Sequence, residues 1–175
     1  MRRWLIWLPL AGFAVLLWVV TGELLRPADR TVKSQMVGKA MPAFALPASV
    51  PGKPGLASTQ LTGSGARLVN IFASWCVPCI AEAPQLMALR RAGVEIDGIA
   101  IRDRGEDVAR FLARNGDPYA RIGDDRTSSV QLALGSSGVP ETFVVDGRGR
   151  IVLQHIGDIR AEDVPGILEA VRGAR

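Results

Sequence analysis

The chain has 175 residues, 48% of them apolar, and carries 21 basic against 17 acidic side chains, a formal charge of +4 at pH 7. That is enough chain for one well-buried domain and an extra segment. Setting aside Arg2 and Arg3 from the 21 basic side chains leaves 19 against 17 acidic, and no run of Lys or Arg exceeds two residues, which argues against a nucleic-acid partner.

Residues 4–22, WLIWLPLAGFAVLLWVVTG, contain no charge. As a helix they span about 28 Å, close to the hydrocarbon thickness of a bilayer. Arg2 and Arg3 precede the run, and Trp4, Trp7 and Trp18 sit near its ends, as in a single-pass anchor whose arginines stay in the cytoplasm. A cleavable signal peptide fits less well, because the apolar core is long and the small-residue site around Val20 and Gly22 is poor. A buried core helix is the third reading. On the anchor reading, 1–22 is the membrane segment, 23–40 a tether containing Pro27 and Gly38, and 41–175 the folded domain. In a bacterium that domain faces the periplasmic side of the inner membrane, an oxidising compartment.

PAFAL (42–46) reads as a short strand, and PGKPG (51–55) opens a turn-rich insertion to about Gly65, a candidate hairpin over a sheet edge. RLVNIFA (67–73) is an unbroken apolar run, as in a strand buried on both faces. Helical spacing follows over 76–91, then a strand over 94–101 and a helix over 106–116 closed by Gly116. RDRGED (102–107) between them reads as a solvated helix entry. Helical turns over 129–135, a hairpin over 139–157 turning at Asp146-Gly147-Arg148-Gly149, and a helix over 161–173 complete the chain. The order β-α-β-α-(α)-β-β-α points to an α/β fold, a central mixed sheet with helices on both faces.

Cys76 and Cys79 are the only cysteines. A disulfide between them closes so small a loop that it restrains the unfolded chain weakly, so the pair looks placed for chemistry. Cys76 stands where a buried strand hands over to a helix, and the unpaired N–H groups and positive dipole end there favour a thiolate. Cys79, one turn later on the same face, is placed to attack a mixed disulfide on Cys76. A zinc site would need two more ligands, and His155 is the sole histidine.

FASWCVPC (72–79) resembles the active-site stretch of thioredoxin-like proteins. The apolar N-terminus, GKAMPAFALP (38–47), LVNIFASWCVPCIAEAP (68–84), FLARNGDPYARIGDD (111–125) and GVPETFVVDGRGRIVLQHIGDI (138–159) narrow the resemblance to the membrane-anchored cytochrome c biogenesis thiol:disulfide interchange proteins, the DsbE/CcmG group. The resemblance implies a thioredoxin-like fold, with Cys76 as nucleophile and Cys79 as resolving thiol. Pro140 matches the cis proline facing the dithiol, and the backbone of Val139 before it is implied to pair with a substrate strand. Trp75 matches the tryptophan that packs over the sulfurs. Glu82 and Glu141 match acidic residues near the site, where a carboxylate takes the proton of Cys79. Asn70 stands where ordinary thioredoxins carry a buried aspartate. Ile80, Ala83 and the GSSG stretch (135–138) depart from the group's pattern, which bears on partner choice.

By this resemblance the protein reduces client disulfides, above all the CxxCH haem-binding segment of an apocytochrome c. It is recharged by a membrane thiol–disulfide carrier, works as a monomer, and needs no cofactor or metal beyond the redox-active Cys76–Cys79 pair. Other readings remain beside it: a disulfide-forming oxidant, a Cu(I) chaperone using Cys76, Cys79 and His155, and a structural disulfide. A peroxidase reading wants threonine where Ala73 stands. Ordinary roles also compete at single positions: a solvated helix-dipole partner for Glu82, a satisfied buried amide for Asn70 and a structural or surface role for His155.

Overall fold

The computed structural model describes residues 7–24, 36–63 and 65–174. The chain divides into two compact units, Met1–Val32 and Lys33–Arg175. The first contains helix α1, Trp7–Leu24. Its side chains Leu10, Phe13, Val15, Leu16 and Trp18 are exposed. Among the described residues no helix is long and apolar enough to cross a membrane. Arg2, Arg3, Trp4 and most of the expected tether lie outside the described residues.

The second unit is built on a five-stranded sheet: β3 (Arg67–Phe72), β4 (Ile96–Ile101), β5 (Arg121–Asp125), β6 (Glu141–Val145) and β7 (Ile151–Ile156), in spatial order β5-β4-β3-β6-β7. Strands β3, β4 and β5 run parallel, while β6 and β7 are antiparallel to their neighbours. All six residues of β3 are buried. A strand covered on both faces has no reason to alternate polar and apolar residues, so RLVNIF reads as a continuous run.

Register places Asn70 opposite Gly98 and Thr142, so the three share one face. Helix α2 (Val77–Arg91) packs there, accompanied by α3 (Gly105–Asn115) and α5 (Val164–Gly173). Phe72 stacks on Tyr119 with ring centres 4.7 Å apart and meets Phe111 of α3 at 5.7 Å. A Cβ at Gly98 would lie 2.9 Å from the Phe72 ring and 3.0 Å from that of Tyr119, so only glycine lets the two rings settle on the sheet. The other face carries Ile71, Ile99, Gly123 and Glu141. It is covered by the short helix α4 (Ser129–Ala133) and a hairpin of β1 (Ala45–Leu46) with β2 (Leu56–Ala57). Helix coverage is therefore uneven, three against one.

The hairpin also closes the sheet edge, but it begins at β1, ahead of the 51–65 insertion expected to form it. Ser49 N donates to Ile122 O at 3.0 Å, Asp124 N to Pro47 O at 2.9 Å, and Ile122 N to Pro54 O at 3.0 Å. The edge strand β5 corrects the order read from the sequence, which has no strand there. RIGDD has one large apolar residue in five, and its charges are held by neighbours rather than water. Arg121 reaches Glu95 at 2.9 Å and Asp97 at 3.1 Å. Asp125 accepts from the backbone N–H of Ser129, Val130 and Gln131 at the start of α4. Across the same strands Arg67 pairs with the buried Asp97 at 2.9 Å. On the opposite edge, Gly38 N donates to Ile151 O at 2.7 Å and Met41 N to Gly149 O at 2.8 Å.

Candidate active site

β3 ends at Phe72, and Ala73-Ser74-Trp75 lead into α2 with Cys76 as its N-cap residue. The Cys76 Sγ accepts from the backbone N–H of Cys79 at 3.2 Å. No acidic residue occupies the first turn of α2, so nothing there opposes a negative sulfur. Cys76 and Cys79 form a disulfide with Cα atoms 5.3 Å apart. Both are nearly enclosed, 4% and 1% exposed, while Trp75, Val77 and Ile80 stand out around them at 58%, 73% and 44%. A reactive pair thus lies at the floor of an exposed apolar rim. The Val139–Pro140 peptide is cis. Glu141 pairs with Ile71, so Val139 and Pro140 sit at the end of β6 level with the exit of β3, at the same edge of the sheet as the cysteine turn.

The loop after β4 holds that turn in place. Both Asp103 oxygens accept from Ser74, one from its backbone N–H and the other from its hydroxyl at 2.8 Å. The Trp75 indole N–H donates to Arg102 O at 3.3 Å. Arg102 adopts φ 47°, in the left-handed region, and its Nε donates to the hydroxyl of Ser128, itself at φ 57°. RDRGED is therefore more than the solvated helix entry its composition suggests. Its first two residues tie the redox turn to the loop of Ser128, and no local pattern marks them, because the partner Ser74 is 29 residues away.

Glu82 follows Cys79 by three residues on α2 and is completely buried, which overturns the reading of a solvated dipole partner. Its Oε1 accepts from Asn70 Nδ2 at 3.0 Å and its Oε2 from Ile159 N at 3.1 Å. Burial pushes its carboxyl from 4.5 up to about 7; the two N–H donors work against that rise, and the nearby Asp158 adds to it. Asn70 is the satisfied buried amide expected of it. Its Nδ2 also donates to Thr142 Oγ1 at 2.9 Å, and its Oδ1 accepts from the Tyr119 hydroxyl at 2.7 Å. Burial, then the charges of Glu82 and Asp117, push the Tyr119 phenol up, so it stays a donor. Tyr119 and Thr142 belong to this network without having been marked as site residues. No local signal marked them, since Tyr119 lies among polar residues and Thr142 follows Glu141.

Glu141 lies on the other face of the sheet, opposite Ile71 and Ile156. It is 1% exposed. Gln154 donates to its Oε1, while its Oε2 has no hydrogen-bond partner. Burial pushes this carboxyl up as well, with Ser136, Gln154 and Ser137 nearby working against it. The two candidate carboxylates thus occupy opposite sides of β3, and Glu82 shares its helix with Cys79. His155 meets Asp158 O at 3.2 Å and Asp163 at 3.8 Å, beyond β7. Among the described residues, no three His, Cys, Asp or Glu side chains converge to hold a metal.

The sequence model of the Redoxin family matches residues 36–171, most of the chain. The chain belongs to the Redoxin family. Within it, this redoxin is a DsbE-type thiol:disulfide interchange protein with protein-disulfide oxidoreductase activity. It is 39% identical over 160 residues to the DsbE protein of Pseudomonas fluorescens biotype C, covering 91% of this chain and 88% of the relative. It is 36% identical over 156 residues to the DsbE homologue of Paracoccus denitrificans, covering 89% and 86%. Among solved structures, a DsbE-like interchange protein from Chlorobium tepidum superposes with a TM-score of 0.62 at 26% identity, over 77% of this chain and 94% of that one. The fold of this redoxin is accordingly the thioredoxin-like one that the CxxC stretch implied.

Proposed function

We propose that this redoxin reduces disulfides in client proteins outside the cytoplasm, and that its client is the CxxCH haem-binding segment of an apocytochrome c. The observation that carries the reading is the enclosed Cys76–Cys79 disulfide at the start of α2, with a protonatable Glu82 one turn further on. In the reduced protein the Cys76 thiolate attacks one sulfur of the client disulfide, forms a mixed disulfide, and expels the other client sulfur, which takes up a proton. Cys79 gives its proton to Glu82 and attacks Cys76 Sγ, releasing the second client thiol and closing the Cys76–Cys79 bond. Two electrons pass to the client; of the two protons it takes up, one comes from Cys79 by way of Glu82 and the other from solvent. The cis Val139–Pro140 peptide offers its backbone to the client segment as an added strand, and Trp75 forms one wall of the docking rim. Glu141 tunes the same edge from the other side of the sheet.

Client choice rests on the resemblance of GVPETFVVDG and its flanks, and on relatives that are themselves named thiol:disulfide interchange proteins. Residues 1–22 serve as the anchor and 23–40 as the tether, which puts 41–175 on the periplasmic side of a bacterial inner membrane. The exposed apolar side chains of α1 support this. A membrane thiol–disulfide carrier returns the oxidised pair to the dithiol, since this compartment lacks a soluble reductant. The protein acts as a monomer without cofactor or metal.

Trapping tests the reading. Cys79→Ala protein, reduced and mixed with an oxidised CxxCH peptide, is expected to accumulate a covalent adduct on Cys76 that dithiothreitol releases. Wild-type protein should instead release reduced peptide. Absence of the adduct would contradict the proposal.

A further inference from the structure

Next to the disulfide lies an open cleft of about 380 Å³ that the reaction itself does not use. Ser74 and Trp75, from the turn leading into Cys76, form one wall; Arg102, Arg104, Arg110 and Arg114 supply four guanidinium groups. Only Asp103 and Asp107 oppose them. Asp103 holds Ser74 with both oxygens and Asp107 pairs with Arg110, so four arginines against two aspartates leave a surplus of two positive charges. Arg104 has a loose contact of 3.8 Å with Glu106, both in solvent, and among the described residues Arg114 has no ion pair. Arg110 and Arg114 stand four apart on α3, an arrangement that is mildly unfavourable for the helix because like charges meet on one face. Arg110 gains a contact with Asp107 and Arg114 suits the last turn of α3, yet a positive surplus remains and is held against the redox turn by the Trp75–Arg102 and Ser74–Asp103 bonds.

We propose that this cleft docks acidic side chains of the client polypeptide, lying a few residues from the disulfide that Cys76 attacks. The inference rests on the disulfide-reductase reading. Because the cleft shares Trp75 with the rim around the sulfurs, a chain segment engaged at Cys76 runs directly past the arginines. Asp or Glu residues there would gain charge-assisted contacts and be steered toward the sulfur.

The test uses two peptides, each closed by one CxxC disulfide and differing only in the flanking residues, acidic in one and Asn/Gln in the other. The full-length reduced protein is expected to reduce the acidic peptide about tenfold faster at low ionic strength. That advantage should shrink toward parity near about 0.5 M salt. The R110Q/R114Q variant should lose most of it, whereas R172Q, which removes an exposed charge on α5, should keep it. An advantage that survives in R110Q/R114Q overturns the cleft as its source. Equal rates in wild type with both peptides reduced overturn it too, and leave the reductase reading standing. Failure of the wild type to reduce either peptide removes the reading on which the cleft proposal rests.

Discussion

At the scale of single residues, Glu82 is the point where fold and chemistry meet. Its carboxyl is buried and pushed to about 7, so at neutral pH it can both hold and accept a proton. The same shift carries a stability consequence with a definite sign. In the unfolded chain this carboxyl ionises near 4.5, and in the folded chain only near 7. Between those values the folded state binds more protons, so stability conferred at low pH is lost as pH rises through the window. The loss amounts to about 3 kcal/mol for a shift of this size. Chemical unfolding of oxidised wild type and Glu82→Gln at pH 4 to 8 is expected to show the wild type falling relative to the variant between about 4.5 and 7, then running parallel. On the proposed mechanism the same variant should resolve the mixed disulfide about 100-fold more slowly, because Cys79 would lose its proton acceptor. A difference that stays flat across the window would mean Glu82 is ionised throughout. The CxxC pair stood out as a local pattern, whereas Pro140 and both glutamates were singled out only by the resemblance to the DsbE/CcmG group. The burial of Glu82 was not legible in the sequence, since it depends on Asn70, twelve residues back, and on Ile159, 77 residues ahead.

At the scale of elements, what was read correctly was what has a period or a turn signal. β3 shows a largely apolar run broken only by Arg67 at its start and Asn70, α2 and α5 show helical spacing, and the β6–β7 hairpin turns at Asp146, whose Oδ1 accepts from the backbone of Arg148 and Arg150. β5 carries no such signal, because its polar residues face partners on β4 and α4. The charge group on these strands has an energetic consequence. Arg67 is 1% exposed and Asp97 fully buried, 2.9 Å apart across β3 and β4. Removing one member of a buried pair strands the charge of the other, which costs about 3–5 kcal/mol. Asp97→Ala is therefore expected to lower the unfolding free energy by about 3 kcal/mol or more in urea titration, with Glu95 recovering part of the loss. A change below about 1 kcal/mol would show that Glu95 alone suffices for Arg67. The loop over 102–107 teaches the complementary lesson. Composition described its charges well enough, but the contact of Asp103 with Ser74 arises from two strands brought side by side.

At the scale of the whole molecule, an apolar N-terminal helix and a thioredoxin-like unit share one chain, and the account turns on the direction in which electrons leave Cys76 and Cys79. A helix N-terminus favours the thiolate and hence the reduced form, whereas the enclosure of both sulfurs disfavours charge. The first effect raises the potential and the second lowers it, and the account requires the second to win. The potential decides it. Full-length protein in detergent, equilibrated against graded thiol–disulfide buffers and then alkylated, reports the state of its only two cysteines without ambiguity. The account predicts a reduction potential at or below that of thioredoxin, about −270 mV. A value near that of a strong oxidant, about −120 mV, would reverse the flow and contradict it.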